Sequence, residues 1–169
     1  DTNRPNSSVG KVLNKIKIKI DSNKEIFIRS KIVAKYYNNK TSSKWFPTGD
    51  TGYLDDEKYL FITGRVDDLI ISGGENINPL EIEKIISNLE YVKECVAIGK
   101  KDEYWGEILT LVLFSKKKVT LGEINKHLIM LDSHKLPKKI VFYDTPLPKL
   151  DNGKFNKKLI RDIINENVS

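Results

Sequence analysis

The chain has 169 residues, enough for one full domain or for a small domain with part of another. A hydrophobic share of 39% with 31% charged residues excludes a wholly disordered chain. The net charge of +6 points to anionic ligands, and only four of the 29 basic residues (Arg4, Arg29, Arg65 and Arg161) are arginines. Lysine is a compact point charge without the planar fork that reads base edges. Small anions and phosphate-bearing ligands, or an unspecific polyanion, are therefore the expected partners, set against a plain solvated lysine surface.

From Asp1 the chain shows no initiator Met and no basic-then-apolar leader, and it reads as a piece of something longer. The first third carries strand patterns. Lys15 to Ile20 alternates lysine with isoleucine, Asp21 to Lys24 is a polar turn, and Glu25 to Ile28 is the hairpin partner. Asn38 to Lys44 is a polar loop and an expected cleavage site. Trp45-Phe46-Pro47-Thr48-Gly49-Asp50 reads as a turn that ends by presenting a carboxylate. A second hairpin joins Thr51 to Leu54 and Tyr59 to Ile62 through Asp55-Asp56-Glu57. Residues 1–63 are thus nearly all β, with little apolar mass for a core of their own.

After Gly64 strands and helices alternate. Asp68 to Ser72 is a short strand stopped by Gly73-Gly74, a pair that suits a hairpin turn or a close backbone approach to a ligand. Asn78-Pro79 opens a helix with Glu81 placed to reach back, and Ile82, Ile85, Ile86 and Leu89 form its apolar face. Cys95 to Ile98 and Ile108 to Phe114 are apolar enough for strands covered on both faces. The longest such run is far too short to span a bilayer. Thr120 to Glu123 spells a capping box ahead of Ile124, Leu128 and Leu131. Val141-Phe142-Tyr143 is a last strand, and Leu159, Ile160, Ile163 and Ile164 face inward from a last helix. The expectation is an α+β fold, with a compact α+β domain over 64–169 that meets 1–63 through Gly64 to Asp68.

Cys95 cannot form an internal disulfide, and no Cys/His cluster has metal-ligand spacing, so a reducing, cytoplasmic setting and no metal site are expected. Cys95 itself reads as a core thiol. Leu147 to Lys154 is a polar loop that sets Lys154 just past a flexible glycine, where an ammonium can meet developing negative charge.

Taken in order, the segments Trp45 to Asp50, Gly64 to Glu83 and Leu147 to Lys154 resemble the late core motifs of the adenylate-forming enzymes. That superfamily includes acyl-CoA synthetases, peptide-synthetase adenylation domains and luciferases. The resemblance runs from about Ser8 to Lys154. It implies that 1–63 is the β-rich tail of a large N-terminal adenylation domain and 64–169 the small C-terminal lid domain. By position, it makes Asp50 the residue for the ribose hydroxyls, Arg65 a nucleotide contact and Asp67 the hinge. Gly73 and Gly74 would line the pantetheine tunnel, Trp105 would lie near the CoA adenine, and Lys154 would stabilise the adenylation transition state.

The implied parent is an ATP-dependent acid–CoA ligase, fatty-acyl or aryl, using ATP, Mg2+ and coenzyme A on a small carboxylic acid. Gly73 to Ile77 is similar to the CoA ligases; peptide-synthetase domains usually carry an arginine near Glu75. No carrier-protein segment follows Lys154, which favours a free-standing ligase. Leu136 stands where some members have an arginine for the CoA nucleotide, leaving Lys135, Lys138 or Lys139 for that contact. The phosphate-binding loop, the magnesium ligands and the acyl pocket belong to the N-terminal part of such enzymes, so this chain alone is expected to be inert. The alternative is a non-catalytic lysine-rich binding module for nucleic acid or an acidic partner. That reading needs basic residues interleaved with exposed aromatics, whereas Phe27, Phe61, Phe114 and Phe142 lie in apolar strands, so no nucleic acid partner is expected.

Overall fold

The computed structural model describes residue 5 and residues 7–30 and 45–166. The loop expected over Asn38 to Lys44, and Arg4, lie outside the described residues. Within them the chain divides into two compact units, Asp1–Asp67 and Asp68–Ser169.

The first unit is a five-stranded antiparallel sheet. It is built from β1 (Gly10–Lys11), β2 (Lys17–Ile20), β3 (Glu25–Arg29), β4 (Phe46–Leu54) and β5 (Tyr59–Arg65), in the order β1-β5-β4-β3-β2. The alternation in β2 leaves its lysines exposed and its isoleucines half-buried. Asp21 builds the β2–β3 turn: its Oδ1 accepts from the Asn23 and Glu25 amides, each at 2.9 Å. Asp55 does the same for β4–β5, accepting from the Tyr59 amide at 2.8 Å.

Trp45 to Asp50 is not a turn. Phe46 to Asp50 lies inside β4, whose register slips against β3 between Glu25 and Phe27 and against β5 between Thr51 and Gly52. Bulges absorb the prolines and glycines that read as loop residues. Gly64 and Arg65 belong to β5 of this sheet. Ile26 and Tyr59 are its buried apolar side chains among the described residues. Phe27 and Phe61 are half-buried and outside either core cluster: Lys19 Nζ stands 6.0 Å from the Phe27 ring, and Phe61 stacks on Tyr53 at 4.9 Å.

The second unit is a three-layer α+β sandwich. Its sheet runs β10 (Lys139–Tyr143), β9 (Gly106–Ser115), β6 (Ile70–Ser72), β7 (Glu75–Ile77), with β8 (Val92–Asp102) paired to β9. β8 and β9 form a long antiparallel hairpin from Val92↔Ser115 to Asp102↔Gly106, and β10 joins β9 in parallel. Both faces are covered, as the unbroken apolar runs require. One face carries Cys95, Ala97, Leu109, Leu111 and Leu113. It packs with Ile82 and Ile86 of α1 (Pro79–Ile86) and Ile124 of α2 (Leu121–His127). The other carries Val96, Ile98 and Val112 beneath Ile160 and Ile164 of α3 (Lys157–Glu166).

Three local expectations change. Asn78 caps α1 alone, accepting from the Leu80 amide at 3.1 Å, while Glu81 pairs with Lys135 at 3.1 Å instead of reaching back. α1 ends at Ile86, so Leu89 packs on the core from the turn beyond it. Leu159 is exposed on α3; Ile160 and Ile164 do the inward packing. Among the described residues no helix is long and apolar enough to cross a membrane.

Candidate functional site

The candidate residues fall into three groups. In the first unit, Asp50 and Arg65 are cross-strand partners in β4–β5. Arg65 Nη1 donates to Asp50 Oδ1 at 2.9 Å and to the Thr48 carbonyl at 3.3 Å, and Nη2 lies 3.7 Å from Asp67 Oδ2. Gly49, at φ +72°, admits the guanidinium: a Cβ there would come 3.0 Å from Arg65 Nη2. Thr48 holds the segment by donating to the Ile26 carbonyl at 2.8 Å and accepting from the Asp50 amide at 3.1 Å. Asp50 and Arg65 are each partly exposed, so their ion pair is worth no more than about 1 kcal/mol and yields easily to a ligand. A carboxylate and a guanidinium side by side suit hydroxyls and phosphate together.

The second group surrounds Gly73-Gly74, which is a two-residue hairpin turn between β6 and β7, closed by Ser72↔Glu75. Both φ angles are positive, +59° and +86°, as the tight primed turn demands. The two glycines differ in surroundings. Gly73 lies under Trp105, where a Cβ would fall 2.7 Å from Cε3, and its amide donates to the Trp105 carbonyl at 2.9 Å. A Cβ at Gly74 would meet nothing within 4 Å, so the backbone there has an open approach. Trp105 sits in the β8–β9 turn, where Asp102 Oδ1 accepts from the Tyr104 and Trp105 amides at 3.0 and 2.9 Å. Trp105 is 41% exposed, which leaves ring surface open for stacking.

Lys138 Nζ stands 4.9 Å from the Trp105 ring centre. The other two lysines considered for the nucleotide contact are engaged elsewhere. Lys135 pairs with Glu81 and with Asp132 at 3.6 Å; its hydrogen bond to Glu81 outweighs burial and raises its pKa. Lys139 lies against Lys100, whose pKa it lowers by hydrogen bonding and repulsion. Leu136 packs on the core.

Lys154 forms the third group, on a loop of the second unit closed by a Lys149↔Phe155 bridge. Gly153 is at φ +80°, Asn152 Oδ1 accepts from the Lys154 amide at 3.1 Å, and the Leu150 amide donates to the Lys154 carbonyl at 2.8 Å. The Lys154 side chain is exposed. Two acidic residues not singled out from the sequence touch these segments. Glu94 binds the foot of the Lys154 loop, and Glu107 accepts from the Ile71 amide at 3.0 Å. Their one mark in the sequence is that each is the polar residue next to an apolar run.

Cys95 is buried, and burial foremost, with the nearby Glu83 carboxylate, drives its thiol pKa far up. Glu83 accepts from the Ala97 amide at 2.8 Å and pairs with Lys157 at 2.9 Å. Among the described residues no three His, Cys, Asp or Glu side chains gather as a metal site.

Residues 81–154 match the family model described as the AMP-binding enzyme C-terminal domain. The chain is 41% identical over 165 residues to a 2-succinylbenzoate–CoA ligase of Listeria monocytogenes, covering 92% of this chain and 35% of that protein. It is 40% identical over 147 residues to a long-chain-fatty-acid–CoA ligase of Mycobacterium tuberculosis, covering 82% and 29%. Among solved structures, an o-succinylbenzoate CoA synthetase from Bacillus subtilis, in complex with its acyl-adenylate intermediate, superposes with a TM-score of 0.77. It is 33% identical over 92% of this chain and 36% of that one. A Mycobacterium tuberculosis fatty acyl CoA synthetase gives a TM-score of 0.72 at 31% identity over 96% and 36%. The chain spans about a third of the length of these relatives. Residues 81–154 are identified with the C-terminal domain of AMP-binding enzymes, and the chain as a whole is similar to adenylate-forming acid–CoA ligases.

Proposed function

We propose that the chain is the C-terminal part of an ATP-dependent acid–CoA ligase of the cytoplasm. In this reading a carboxylic acid, fatty-acyl or aryl, is activated as its adenylate and then passed to coenzyme A. Residues 1–63 close the large adenylation domain, 64–169 form the lid, and Asp67 is the hinge. Asp50 accepts from the ribose hydroxyls, and Arg65, released from Asp50 and Asp67, contacts the nucleotide. Lys154 donates to the charge that gathers as the carboxylate attacks the α-phosphate. Gly74 leaves the pantetheine arm a path, Gly73 seats Trp105, and Trp105 with Lys138 takes the CoA nucleotide. ATP supplies the leaving pyrophosphate and CoA the thiol, and the magnesium ligands belong to the N-terminal part of the enzyme.

The observation that carries this reading is the separation of the Lys154 loop and the glycine turn along one hairpin. The Lys154 loop is held at Glu94 and the Gly73-Gly74 turn lies beside Gly106. Glu94 and Lys101, the partner of Glu107, are seven residues apart in β8, about 23 Å at the usual strand rise. One lid can therefore present one end or the other, and a hinge between two poses supplies each step in turn.

In the full-length protein, Lys154→Ala should slow pyrophosphate release by about a hundred- to a thousandfold. Thioester formation from supplied acyl-adenylate should survive. Gly74→Leu should do the reverse, and Asp67→Pro, by fixing the hinge backbone, should uncouple the two steps. Equal slowing of both steps by Lys154→Ala would overturn the two-pose reading.

A second reading, a lysine-rich module for nucleic acid or an acidic partner, draws on Lys19 beside the half-buried Phe27 ring. Filter binding of single-stranded nucleic acid that falls steeply with salt would favour it.

A further inference from the structure

Two carboxylates of the β8–β9 hairpin, Glu94 near its open end and Glu107 near its turn, each grip a different functional segment. Glu94 uses both oxygens on the Lys154 loop: Oε2 accepts from the Leu147 amide at 2.7 Å and Oε1 from Lys149 Nζ at 2.6 Å. Leu147 is buried in the core beneath α3, so this grip lies at the foot of the loop. Above it the loop closes on itself through Lys149↔Phe155 and the Leu150–Lys154 hydrogen bond. The backbone of Lys154 is thereby referenced to Glu94 through consecutive contacts.

Glu107 serves the other end. β6 joins β9 through a single residue pair, Ser72↔Gly106, which leaves the Ile71 amide without a ladder partner on that side. Glu107 Oε2 fills the place at 3.0 Å. Its carboxylate lies flat over Gly99, where a Cβ would come within 2.5 to 2.6 Å of Cδ and both oxygens. Gly99 has no positive φ to account for it, so space for the carboxylate is the visible reason for a glycine there. Ile71 stands two residues before Gly73, so the position of its amide sets where the glycine turn and the Trp105 carbonyl meet.

We propose that Glu94 and Glu107 are positioning residues, one for each half-reaction: Glu94 aims the Lys154 loop and Glu107 aims the Gly73-Gly74 turn. The assignment rests on the functional reading above. It explains why a carboxylate borders the buried apolar run of each strand. A displacement of about 1 Å at either segment is enough to cost up to a hundredfold in rate, so loss of an anchor shows as a defect in one step.

The test uses the full-length protein and four variants. Glu107→Ala should lower thioester formation at least about tenfold relative to pyrophosphate release, seen chiefly as a raised KM for CoA. Glu107→Gln keeps an acceptor for the Ile71 amide and should restore most of the rate. Gly99→Ala leaves Glu107 in the sequence but displaces its carboxylate, and should reproduce Glu107→Ala. Glu94→Ala should shift the same ratio the other way, lowering pyrophosphate release. Amide hydrogen exchange gives a readout independent of turnover: Ile71 should exchange faster in Glu107→Ala and Leu147 faster in Glu94→Ala. Unchanged exchange, a silent Gly99→Ala, or variants that slow both steps equally would overturn the proposal. Faster exchange together with a Lys154→Ala protein that fails to separate the steps would instead overturn the functional reading.

Discussion

Glu94 is a carboxylate caught between opposing influences. Burial pushes its pKa up, but the hydrogen bonds from Lys149 and the Leu147 amide, with the Lys149 charge, prevail and leave it below its ordinary 4.5. A carboxyl whose folded pKa is depressed adds stability above its unfolded pKa and loses it as pH falls through the folded value. Replacing Glu94 by Gln should therefore cost about 1–2 kcal/mol at pH 7. The gap should close as pH falls through the depressed folded value, where wild type loses the same contribution. Thermal unfolding at neutral and strongly acid pH measures it, and an equal gap at both would contradict the assignment. Asp50 shows what single residues hide. Pro47, Gly49 and Gly52 make its surroundings read as a loop, and only the bulged pairing of three strands shows that they are sheet. The ion pair with Arg65 joins residues 15 apart in sequence, a relation that no local pattern carries.

Short elements are legible where local chemistry decides them. The capping box at Thr120 forms in both directions: the Glu123 amide donates to Thr120 Oγ1 at 3.2 Å, and the Thr120 amide donates to Glu123 Oε2 at 2.8 Å. Thr120→Ala should lower stability by about 1 kcal/mol, read as a fall in the denaturant midpoint with an unchanged slope. At Asn78 the same logic misleads, because Lys135 competes for Glu81 from 54 residues away. The strand ends are equally hidden. β8 and β9 run beyond their apolar stretches because each continues the other's ladder out to Asp102↔Gly106, whatever the side chains. The motifs around Gly73 and Lys154 suggest a family from the sequence, but the seating of Gly73 under Trp105, and the placing of Lys138 beside that ring, need the fold.

At the scale of the whole molecule, apolar burial is unevenly shared. Both core clusters, with α1, α2 and α3, belong to the second unit, while the first buries Ile26 and Tyr59 among its described residues. A protein of residues 68–169 should fold cooperatively by itself, with dispersed amide resonances and slow exchange at Leu111 and Leu113. Residues 1–67 alone should not, since a single sheet with so little buried apolar surface cannot offset its ordering entropy. A second unit that stays unfolded when isolated would contradict the division at Asp67.

The chain contains two tryptophans, and the division places one in each unit. Trp45 lies beneath the Arg29 guanidinium at 4.7 Å, whereas Trp105 covers Gly73 with Lys138 beside its half-open face. Each unit thus has its own intrinsic fluorophore in a distinct electrostatic setting. With Trp45 replaced by Phe, emission from this chain reports on the glycine turn alone, and the proposed CoA contact at Trp105 predicts quenching on titration with CoA, without any label.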